Sequence, residues 1–67
     1  MSLHADLTSV MSTLDQIIDR LDDAAKEVAG GDQDDLLTDL YEVERHLRQA
    51  ARRLGRTLEH LPGAPRR

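Results

Sequence analysis

Apolar residues recur in this chain at alternating intervals of four and three, twice over, with a single interruption. The first run is Leu3, Leu7, Val10, Leu14, Ile17, Leu21, Ala24 and Val28, and the second is Leu36, Leu40, Val43, Leu47, Ala50, Leu54, Thr57 and Leu61. A mean spacing of 3.5 residues keeps one face of an α-helix turned toward a neighbour, which is the heptad pattern abcdefg with a and d apolar. Placing Leu7, Leu14, Leu21 and Val28 at position a puts Leu3, Val10, Ile17 and Ala24 at d. In the second run every a position is leucine: Leu40, Leu47, Leu54 and Leu61.

Between the runs stand Gly30, Gly31, Asp32 and Gln33. Glycine accepts the positive φ that ends a helix, and aspartate can cap the start of the next. The expectation is an all-α chain: helix 1 over about residues 3–29, a turn at 30–33, helix 2 over about 34–61, and a flexible tail at 62–67. Pro62 and Pro65 cannot sustain a helix. Ser2 is the expected cap of helix 1. A short link between helices of equal length predicts antiparallel packing, a coiled-coil-like hairpin. If the chain folds back about Asp32, a meets d in eight layers, from Leu3 with Leu61 to Val28 with Leu36, with Ala24 and Ala50 opposite leucines.

Size makes the hairpin incomplete. Chains below roughly 70–80 residues seldom bury enough to stand alone, and with no Cys among 67 residues no disulfide can supply the difference. There is no Phe or Trp and one Tyr, so the core must be aliphatic. Position e shows where help would come from. It holds Met11, Ile18 and Ala25 on helix 1, and Leu37, Glu44, Ala51 and Leu58 on helix 2, with Tyr41 at its border. In an antiparallel pair these lie along one side, so they are the expected dimer interface, closing two hairpins into a four-helix bundle. Glu44 interrupts that stripe. It is expected either to reach the rim toward Arg48 or to meet Arg20 or Arg48 of the second chain as a registry device.

The chain is charged unevenly. Residues 1–35 hold nine acids against Arg20 and Lys26, a net −7, and residues 36–67 hold seven Arg against Asp39, Glu42, Glu44 and Glu59, a net +3. Arg45, Arg48, Arg52 and Arg56 could touch nucleic acid or an anionic ligand. The fold-back places Asp15 and Asp19 beside them, aromatic stacking residues are missing, and the pI is near 5.1, so internal charge compensation is the simpler reading.

Catalytic and cofactor signatures are lacking. His4 and His60 come level at the open end of the hairpin, but near fraying termini and without a rigid four-ligand set. His46 follows Glu42 by four residues, and the Glu-x-x-His spacing of helical metal sites fails because residue 43 is Val. The glycines follow no strand and lack the Lys and Ser/Thr of a phosphate loop. No enzymatic activity and no cofactor are expected. No apolar segment approaches the roughly 20 residues that cross a bilayer, and the N-terminus does not read as an export signal. The expected location is cytoplasmic, and eight Arg to one Lys hints at a bacterial source. The expected role is a small helical protein–protein interaction or adaptor module acting as a homodimer, with a heterologous helical partner as another possibility.

Overall fold

The structure is a computed structural model that describes residues 2–62, so most of the tail at 62–67 lies outside the described residues. Two helices, α1 (Leu3–Val28) and α2 (Asp34–Glu59), pack against each other, and no strand is present among the described residues. Close cross-helix neighbours are Met11 with Gly55 and Asp22 with Glu44. One number rises as the other falls, so the helices run antiparallel.

Each helix boundary has a local cause. The Ser2 hydroxyl accepts the Ala5 N–H at 3.0 Å, and the Ser2 carbonyl accepts the Asp6 N–H at 3.0 Å, satisfying the opening donors of α1. Asp6 in the first turn and Lys26 in the last oppose the helix dipole. The chain leaves α1 through Ala29 and Gly30, whose φ of +88° is the left-handed conformation that glycine takes without strain. The Gly31 N–H then bonds the Val28 carbonyl at 3.1 Å. Asp32 does not cap α2. Gln33 occupies that position with no side-chain bond, so Asp34 and Asp35, charged neighbours of the helix start, are left to favour it.

The seam differs from the one the heptad pattern suggests. Ile18, Ala25, Glu44 and Ala51 are buried. Most of the half-buried residues continue the same two series: His4, Leu7, Met11, Leu14, Leu21 and Val28 on α1, and Leu37, Leu40, Leu47, Leu54 and Leu58 on α2, with Leu61 just past its end. These are positions a and e; Asp22, Ala24 and Gly55 are half-buried beside them. The d residues Val10, Ile17, Leu36 and Val43 are instead between 43% and 46% exposed, and Leu3 is 61% exposed. Each helix is therefore rotated about its own axis relative to an a–d seam, bringing e in and turning d out. Registry moves with it: 11 and 55, or 22 and 44, each add to 66, where the a–d layering requires 64.

Side-chain size accounts for the rotation. Ala51 and Gly55 are one turn apart on α2 and leave a low stretch of surface. A Cβ on Gly55 would lie 3.8 Å from the Met11 Cε, so that methyl already fills the space above it. Ala25 is fully buried on α1. Small residues let helix backbones approach, and a flexible Met fills the remaining gap.

Candidate interaction surface

Rotating the helices separates the hairpin's surface into two sides with different chemistry. On the e side, four charged groups surround the middle of the seam. Lys26 Nζ bonds Asp22 Oδ2 at 3.1 Å, Arg48 Nη2 bonds Glu44 Oε2 at 3.2 Å, and Asp22 lies beside Glu44 across the seam. Glu44 is 1% exposed, and its second oxygen, Oε1, is buried with no hydrogen-bond partner. A buried carboxylate is costly unless it is paired or protonated. Burial is the main reason the Glu44 carboxyl titrates above its ordinary range, and the neighbouring Asp22 carboxylate pushes the same way against Arg48 and Lys26. Asp22 is held below its ordinary range, chiefly by its hydrogen bond to Lys26. A proton on Glu44 makes it a donor to Asp22, so this pair of acids is compatible with burial when it carries one proton.

These contacts revise the interface expected from the heptads. Ile18, Ala25, Glu44 and Ala51 are consumed by the hairpin's own seam, and Met11, Leu37 and Leu58 are half-covered by it. Tyr41 is exposed and sits on the flank of α2 away from the d residues. Nor does Glu44 reach the rim. Arg48 of the same chain reaches in to it, and Asp22 lies across the seam from it.

The arginines of α2 are largely answered within the chain. Arg45 Nη2 bonds Glu42 Oε2 at 2.7 Å, which also lies 4.0 Å from His46 Nε2. Arg48 and Arg52 line a shallow depression with Asp15 and Asp19, so the basic stretch is interleaved with acids. Arg56, in the last turn of α2, faces the negative end of the helix dipole. No group of three or more His, Asp or Glu among the described residues is placed to hold a metal ion. His4 is half-buried at the end of the seam, and His60 is the C-cap of α2.

The d side is the other feature. Leu3, Val10 and Ile17 on α1 and Leu36 and Val43 on α2 form an exposed apolar stripe that continues into the half-buried a positions. Leu14 and Ile17 border one open hollow on this side with Val10, and Ile17 and Leu21 border another with Arg20. Thr57 extends the stripe at no polar cost, because its hydroxyl donates to the Arg53 carbonyl at 2.9 Å. Heptad reading had assigned these residues to the seam. The signal that could have separated the two sides is Glu44, which marks the tightly packed side only once its neighbours Asp22 and Arg48 are known.

Comparison with known protein families, with curated proteins and with solved structures yields no match to this chain. No helix among the described residues is long and apolar enough to cross a membrane.

Proposed function

We propose that this chain is a helical interaction module that works as a homodimer, joined through the d side into a four-helix bundle. One observation carries the reading: the hairpin buries a stripe containing a glutamate while exposing one made of Leu3, Val10, Ile17, Leu36 and Val43. A hairpin that had only itself to cover would gain more by burying the stripe that carries no charged group. The arrangement makes energetic sense when a second molecule covers the d side, because both stripes then leave water.

Magnitudes agree. Each 26-residue helix is about 39 Å long, and two side by side are about 20 Å wide, giving a face of about 800 Å². A standard stable interface contributes about 800 Å² from each partner. Completing the burial of half-exposed Leu, Ile and Val returns about 1 kcal/mol per side chain, or about 10 kcal/mol over five residues on both copies. Association costs an estimated 4–15 kcal/mol. The balance describes an assembly that responds to concentration.

Sedimentation equilibrium over a concentration series tests the reading. A reversible monomer–dimer equilibrium is expected, with helicity rising as the dimer forms. A well-folded monomer that stays monomeric into the hundreds of micromolar would exclude it.

A further inference from the structure

The hairpin converts the uneven charge of the sequence into a dipole along its own length. The turn half, residues 16–46, carries ten acids against Arg20, Lys26 and Arg45, a net −7. The open half, residues 3–15 and 47–61, carries Arg48, Arg52, Arg53 and Arg56 against Asp6, Asp15 and Glu59, a net +1. The flanks of the d side share the polarity. On α2 the trend is clean, with Asp35 and Asp39 toward the turn and Arg53 and Arg56 toward the open end, all exposed; on α1 Glu27 lies toward the turn, while Arg20 and Asp6 run against the trend.

From this charge distribution we infer that the occupant of the d side is a second copy of the chain bound head to tail, the turn of each hairpin resting against the open end of the other. The inference rests on the homodimer reading above. It follows from symmetry as well as charge. Two hairpins packed face to face by a two-fold axis have two arrangements. With the axis along the helices, both turns lie at one end and α1 packs on the other copy's α2. With the axis across the helices, the turns lie at opposite ends and each helix packs on its own counterpart.

The two arrangements give different charge pairs. With the turns together, Asp39 comes level with the partner's Glu27, and two halves of net −7 share one end. Head to tail about the level of His46, Asp39 comes level with the partner's Arg53, and Asp35 with the partner's Arg56. The apolar layers also interlock: Val43 comes level with the partner's Ala50, Leu36 with the partner's Thr57, and on α1 Ile17 falls between the partner's Leu21 and the partner's Ala24. Large-on-small packing alone would tolerate either arrangement. With the turns together two Asp39–Glu27 repulsions oppose the dimer; head to tail, two Asp39–Arg53 attractions favour it and outnumber its one like pair, Arg20 level with the partner's Arg20.

Charge reversal at exposed positions reads the orientation directly. In the head-to-tail dimer, Asp39→Arg replaces two symmetry-related attractions with repulsions, so the dimer dissociation constant of the variant should be about tenfold higher than that of the wild type at low salt. Arg53→Asp should weaken it similarly, and the double variant should regain most of the loss. If the turns lie together, Asp39→Arg instead strengthens the dimer by relieving Glu27. A second readout is disulfide formation in mixed samples: Asp39→Cys should cross-link to Arg53→Cys, and cross-linking to Glu27→Cys in its place would overturn the orientation. A wild-type chain that never dimerises would overturn the homodimer reading itself.

Discussion

The two sides of this hairpin are built from the same residue types and have opposite fates. The e side has Ala25, Ala51 and Gly55, so the backbones can close, and once closed it accommodates a buried Glu44 by placing Arg48 and Asp22 beside it. The d side has small residues too, Ala24 and Ala50, but they alternate with Val10, Ile17 and Val43, whose branched side chains stand off the helix, and it stays open. Apolar character thus does not decide which stripe a two-helix hairpin closes on. Closeness of approach does, and the more apolar stripe is left for a partner.

Ile18→Asp should have the largest effect. It puts an uncompensated charge at the tight seam, at a cost of about 3–5 kcal/mol, enough to unfold a chain of this size. Circular dichroism should show loss of helix at every concentration; retained helicity would mean the seam is not where the structure places it. Ile17→Asp, the neighbouring residue on the other side, should cost about 1–3 kcal/mol, expressed as dissociation. Its expected signature is a halved mass by light scattering, with helicity recovering at high protein concentration. Equal damage from the two variants would erase the distinction between the sides.

A smaller effect, of the opposite sign, is expected from Glu44→Gln. Raised by burial, the Glu44 carboxyl contributes stability fully present below its ordinary value of 4.5 and lost as pH climbs through its higher folded value. Asp22, lowered by Lys26, contributes stability present above its ordinary 3.8 and lost as pH falls through its lower folded value. Thermal stability of the wild type should therefore be greatest at mildly acidic pH, where the pair holds one proton, and decline toward neutrality. Glutamine keeps the shape, donates to Asp22 and accepts from Arg48, so Glu44→Gln should raise the neutral-pH melting temperature by a few degrees and flatten the decline. A variant as pH-sensitive as the wild type would show that Glu44 is not the titrating group. Tyr41→Ala should change least. Its exposed ring belongs to neither apolar stripe, so the mass should be unchanged and stability should stay within about 0.5 kcal/mol of the wild type.

Two helices, the break at the glycines and antiparallel packing were legible because each follows from local rules. A 3.5-residue apolar period makes a helix, Gly30 and Gly31 end one, and a short link folds it back. Aspartate is the better capping residue, yet Gln33 stands at the cap of α2 without a side-chain bond, because the path of the turn and not side-chain chemistry sets which residue precedes the helix. The seam was misread for a deeper reason. Positions a, d and e together form an apolar arc three residues wide, and a helix in such an arc can present either edge without breaking the heptad pattern.

The sequence by itself determined the secondary structure, the reversal of the chain and the polarity of its charge, because these depend on neighbours a few residues apart. Only the tertiary structure decided which edge of the arc is closed, that Glu44 is enclosed with Asp22 and Arg48, and that Leu3, Val10, Ile17, Leu36 and Val43 face outward. Those outcomes depend on how closely two helices approach, which is set jointly by Met11 on one helix and by Ala51 and Gly55, forty or more residues away, on the other.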